Sequence, residues 1–108
     1  MGTPELRVVI RFEVDDPVSF RPAAEAVVAY WRGCEGCLET ELVRNLDEPR
    51  LWAILGRWRN VGSYRRSFSG FDAKLLLLPL FGQAMDEPNA YLSPDEPSVA
   101  LWRGEVEE

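Results

Sequence analysis

The sequence predicts an α+β fold of the ferredoxin-like type, β-α-β-β-α-β with an antiparallel sheet. Three observations predict it. An alternating apolar stretch is followed at once by a segment with helical apolar spacing. Two further strand-like stretches are joined by a short turn. A leucine-rich helical stretch then precedes a last short apolar segment.

The first stretch, "ELRVVIRFEV" (5–14), places Leu6, Val8, Ile10, Phe12 and Val14 on one face and Arg7, Val9, Arg11 and Glu13 on the other. In "DDP", Asp16 is placed to N-cap a helix and Pro17 suits its first turn. Phe20, Ala24, Val27 and Trp31 then form one helical face running to about Arg32, with Gly33 as the stop. "CLETELVRN" (37–45) reads as the second strand, "LDEPR" as a turn and "LWAILGRW" (51–58) as the third strand, giving an antiparallel hairpin. Asn60 can cap a short helix with Val61, Tyr64 and Phe68 on one face. Residues 71–85 read as a second helical stretch, bent or interrupted at Pro79. "NAYLS" (89–93) is expected to be a short fourth strand, and Val99–Trp102 a fifth. The domain is expected to occupy residues 1–92, followed by an acidic extension, 93–108.

The third strand is apolar on both faces, with Leu51, Ala53 and Leu55 opposite Trp52, Ile54 and Trp58. A sheet with two apolar faces needs two covers. The helices can supply one, and a second copy packed sheet to sheet is the simplest other. A homodimer is therefore expected.

Composition narrows the function. The chain has 108 residues, one domain's worth, with a formal net charge of −6. Residues 86–108 hold seven acids and a single base, while the remaining residues balance at 11 of each. No basic stripe suggests a nucleic-acid partner. The start carries no signal-peptide pattern, and "LLLLPLF" (75–81) is too short to span a bilayer, so a cytoplasmic protein without membrane association is expected.

The absence of histidine excludes more. It removes Ser-His-Asp and Cys-His nucleophile pairs, histidine metal sites and the usual axial ligand of haem. No phosphate-cradling glycine loop or dinucleotide fingerprint occurs, so no nucleotide cofactor is expected. "GCEGC" contains Cys34 and Cys37 in a C-x-x-C. A zinc site wants four ligands, and a redox pair of the thioredoxin type opens a helix, whereas this pair follows one. Neither a metal nor a cofactor is expected.

The ordered set of "RVVIRFEV", the Ala-rich helix after it, "GC" (36–37), "ELVRN" (41–45), "EPRLWAILGRWRNVGSYRRSFS" and "FDAKLLLLPLFGQAMDEPNAY" resembles the antibiotic biosynthesis monooxygenase (ABM) domain family over about residues 6–92. The resemblance implies a dimeric α+β barrel of ferredoxin-like protomers. It also implies oxygenation of aromatic polyketides or quinols without metal or flavin, or degradation of haem. Trp58 matches a tryptophan at the end of the third strand in both branches. Ile54 stands where the polyketide branch has asparagine, and the haem branch requires a histidine that this chain lacks.

The expected ligand is therefore a small aromatic or largely apolar molecule. Its pocket would be lined by Trp52, Ile54, Gly56, Trp58, Tyr64 and Phe68, and the catalytic candidates are Trp58, Tyr64 and Arg11. Each has a plainer alternative. Trp58, Tyr64 and Phe68 suit an ordinary core. Gly56 suits a bulge or a close helix as well as a ligand gap. Arg11 and Arg7 suit salt bridges to Glu39 and Glu41. A non-catalytic binding or accessory protein on the same scaffold is the competing function.

Overall fold

β1 (Leu6–Glu13) follows from its alternation: Leu6, Val8, Ile10 and Phe12 are all buried, and Val14 continues their face. The computed structural model describes residues 4–96, so the expected strand at Val99–Trp102 and most of the acidic extension lie outside the described residues. α1 (Pro17–Arg32) begins with Pro17 in its first turn and with the Asp16 carboxylate accepting from the Ser19 N–H. Its face of Phe20, Ala24, Val27, Val28 and Trp31 is buried against the sheet. Each large side chain so buried contributes about 1.5–3 kcal/mol. The helix ends at Gly33 in a right-handed conformation. The sharp reversal into the next strand is made three residues later by Gly36, at φ 90°.

β2 (Cys37–Arg44) and β3 (Leu51–Trp58) form the expected hairpin, and β3 also pairs antiparallel with β1. α2 (Val61–Arg66) is capped by Asn60, whose side chain accepts from the Ser63 N–H at 2.8 Å. α3 (Phe71–Phe81) follows, and β4 (Ala90–Tyr91) closes the sheet beside β1. The strand order is β2-β3-β1-β4, the antiparallel ferredoxin-like sheet, with Trp31, Leu77 and Leu80 from the helices sealing its inner face.

Three local expectations are corrected. The break expected at Pro79 does not occur, because α3 runs through it to Phe81. Pro79 lies in the last turn, and the carbonyl it leaves without a donor belongs to Leu75, on the solvent side. The helix stops short of Met85 because the chain turns at Gly82 and the Met85 N–H bonds the Arg11 carbonyl at 2.8 Å. Lastly, Arg11 does not reach Glu39 or Glu41, since β3 lies between β1 and β2. Its guanidinium instead grips Glu87 through two bonds of 2.7 Å, and Arg57 on β3 takes Glu39.

Candidate functional site

The inner face of β3 carries Trp52, Ile54, Gly56 and Trp58, all buried. They do not form one wall. Six residues of strand separate the two tryptophans by about 20 Å at the usual rise. Trp52 packs with Phe20 at 5.6 Å between ring centroids, under the Arg44 guanidinium, at one end of the core. Trp58 belongs to a second aromatic cluster at the other end.

In that second cluster Trp31 of α1 meets Trp58 edge to face, with centroids 5.4 Å apart. Tyr64 of α2 touches both rings, at 5.8 Å from Trp31 and 5.6 Å from Trp58. Phe68 and Phe81 complete the cluster against Tyr64 and Trp31. Trp31 and Trp58 are both 0% exposed, whereas Tyr64, Phe68 and Phe81 are half-buried and form the outer layer. Edge-to-face pairs of this kind add about 0.5–1.5 kcal/mol each beyond area burial.

The two indole N–H groups fare differently. That of Trp31 donates to the Ser67 Oγ at 3.1 Å, and the Ser67 hydroxyl donates onward to the Tyr64 carbonyl. The Tyr30 hydroxyl donates to the Ser67 carbonyl at 2.9 Å. The Nε1 of Trp58 is buried with no acceptor among the described residues. Such orphans are rare, because an unpaired buried donor costs about 1–3 kcal/mol. The Tyr64 hydroxyl also lacks a hydrogen-bond partner among the described residues, and burial pushes its phenol above the usual tyrosine range. At neutral pH Tyr64 is thus a donor and not a base.

Gly56 is not at a bulge. Its ladder pairs, Val8 and Thr40, run in register on both sides. The space a side chain would take is bounded by the Trp58 Nε1 edge, 3.2 Å from where a Cβ would stand, and by Val8 at 3.7 Å. Arg11 lies on the opposite face of the sheet, tied to Glu87, so the structure separates it from Trp58 and Tyr64. The structure thus brings Trp58, Tyr64 and Phe68 together, and leaves Trp52 and Arg11 elsewhere. Trp31 and Ser67 are the site residues sequence reasoning missed. Trp31 read as one more member of an apolar helix face, and Ser67 carried no signal at all.

Surface depressions of ≈ 390, ≈ 220 and ≈ 140 Å³ lie along β2, beside Phe12 and Phe20, and over the outer face of β2 and β3. None is lined by Trp58, Tyr64 or Phe68. The C-x-x-C thiols are both free, and burial pushes Cys37 above the usual thiol range, away from reactive thiolate. Among the described residues no cluster of three or more acidic or cysteine side chains could hold a metal, and no helix is long and apolar enough to cross a membrane.

The model of the antibiotic biosynthesis monooxygenase family matches residues 6–72, from the start of β1 through Trp58 and Tyr64 into α3. The chain belongs to this family. Among solved structures it is similar to SnoaB, a cofactor-independent oxygenase from Streptomyces nogalater. The TM-score is 0.72 and the identity 18%, over 88% of this chain and 98% of that one. A conserved protein from Methanosarcina mazei Go1 gives a TM-score of 0.69 at 20% identity, over 87% and 95% of the two chains. Rv0793 from Mycobacterium tuberculosis gives 0.66 at 19%, over 86% and 98%. At these identities the likeness is one of fold. No curated protein matches the chain significantly. The ABM fold thus places Trp58 at the end of its third strand, under α2.

Proposed function

We propose that this ABM protein binds a flat, electron-rich aromatic molecule at Trp58 and oxygenates it without a cofactor. The observation that carries the reading is the orphaned Trp58 Nε1, a buried donor set among aromatic rings. A ligand carbonyl or phenolate would supply its missing acceptor, and the Tyr64 phenol stands beside it as a second donor.

The chemistry needs little from the protein. An anthrone or quinol that gives up a proton to solvent before it is enclosed becomes an enolate or a phenolate, whose charge a donor such as Trp58 stabilises. The enolate passes an electron to dioxygen, and the two radicals combine to a peroxide. With an anthrone, one oxygen atom ends in the new carbonyl, and the other leaves as water with the two methylene hydrogens. The aromatic walls keep bulk water from the intermediates.

A second reading, a non-catalytic binding or accessory protein, is favoured by two observations. The cluster around Trp58 is closely packed, and Ile54, also fully buried, gives the site an apolar side chain where a polar partner would have helped. Oxygen uptake with anthrones and hydroquinones decides between the two. Under the oxygenase reading the protein turns over at least one of them, and Trp58→Phe slows it by about a hundredfold to a thousandfold, the usual effect of losing one oxyanion donor. Tyr64→Phe slows it less. Binding without uptake on any aromatic supports the accessory protein instead.

The outer sheet face, with Val9, Val43, Leu51, Ala53 and Leu55 half-buried in the single chain, is the surface on which we place a homodimer. Light scattering tests this: a monomer at micromolar concentration overturns it.

A further inference from the structure

Trp58 is sealed from water, so a ligand needs a way in. The rings of its cluster that reach the surface are Tyr64, Phe68 and Phe81, and two of these sit on one short segment, residues 61–70. That segment is short and bounded by a cap and a glycine. α2 is only six residues long, with Asn60 capping one end and Ser67 the other. It joins α3 at Gly70, which sits at φ 92° with open space where a side chain would be. A left-handed glycine in open space is a low-strain pivot. The far end of α2 is held to α1 by Ser67, which accepts from Trp31 Nε1 at 3.1 Å and from the Tyr30 hydroxyl at 2.9 Å.

We propose that residues 61–70 form a gate over Trp58, and that Ser67 is the positioning residue that latches it shut. Opening breaks the two bonds to Ser67, lifts Tyr64 and Phe68 off the indoles, and exposes the Trp58 N–H to an acceptor-bearing aromatic. A ligand that satisfies that N–H compensates for the bonds lost at Ser67, so occupancy favours the open gate. The inference rests on Trp58 as the ligand site.

Its test needs no substrate, so its failure is distinct from a failure of the oxygenase reading. Indole proton exchange is followed by NMR on ¹⁵N-tryptophan-labelled protein, with Trp52, in the other aromatic cluster, as internal reference. Trp58 is the informative proton, because Ser67 makes no hydrogen bond to it. Ser67→Ala is expected to speed Trp58 exchange by about tenfold and leave Trp52 unchanged, the effect of roughly one lost hydrogen bond on a local opening. Tyr30→Phe, which keeps the ring and removes a single bond, is expected to speed it by a smaller factor and serves if Ser67→Ala fails to fold. Trp58 exchange that is unchanged in both variants, or that rises only in step with Trp52, overturns the gate.

Discussion

The indole Nε1 of Trp58 lies against the backbone of Gly56, two residues earlier on the same strand: a Cβ built on Gly56 would stand 3.2 Å from it. The glycine is thus the reason the indole fits, and the pair explains why no side chain interrupts β3 there. Trp58 is fully buried, and its ring is the neighbour that would have to give way. Gly56→Ala is therefore expected to lose about 1–2 kcal/mol by overpacking, despite the better strand propensity of alanine. Urea unfolding measures it; a variant as stable as wild type would show that the indole has room to shift.

The two central tryptophans differ in what their N–H groups do. Trp31→Phe removes the donor to Ser67, while Trp58→Phe removes an orphan. Both lose ring area, but only the first breaks a buried hydrogen bond. Trp31→Phe is expected to be less stable than Trp58→Phe by about 1 kcal/mol. Denaturation midpoints at equal m-value make the comparison. The same experiment shows whether a loss of activity in Trp58→Phe is chemical, since it measures whether that variant is still folded.

Two left-handed glycines are expected to tolerate alanine unequally. At Gly36, φ 90°, an added Cβ would lie 2.2 Å from the Ser63 Oγ, whereas at Gly70, φ 92°, it would meet nothing within 4 Å. Gly70→Ala costs the backbone strain alone, about 1–3 kcal/mol at φ 92° and ψ 154°. Gly36→Ala adds a clash with the buried start of α2 and is expected to cost at least about 2 kcal/mol more. Thermal unfolding of the pair orders them, and equal losses would refute the clash.

Acid sensitivity is expected to trace to Glu87. The hydrogen bonds from Arg11 hold its carboxyl below the usual carboxylate range. A depressed folded-state value means the unfolded chain binds the proton more readily. The stabilisation is then present above the usual range and is lost as pH falls through the depressed one. Glu87→Gln removes this dependence, so its stability should fall less steeply below about pH 5. Unfolding midpoints at pH 3, 4, 5 and 7 check it, and identical slopes would dismiss the pair as a source.

Much of the fold was legible because it rests on local periodicity. The alternation of Leu6, Val8, Ile10 and Phe12 and the helical spacing of Phe20, Ala24, Val27 and Trp31 correspond one for one to buried positions. The aromatic composition of the candidate site was legible too, since Trp58, Tyr64 and Phe68 do converge. The extent of the site was not. Alternation tells which face of β3 a residue shares, and so it grouped Trp52 with Trp58. It says nothing of distance along the strand, which assigns them to different clusters.

The sequence by itself determined the class of fold and the inward faces of its strands and helices, and it left no histidine to serve as base or ligand. These depend on side-chain identity and on contacts between near neighbours. Only the tertiary structure decided that Arg11 pairs with Glu87, 76 residues away, and that Ser67 ties α2 to Trp31, 36 residues away. It alone left the Trp58 N–H buried without an acceptor among the described residues. Hydrogen-bond partners at such separations are chosen by how the layers pack, and no local pattern records that choice.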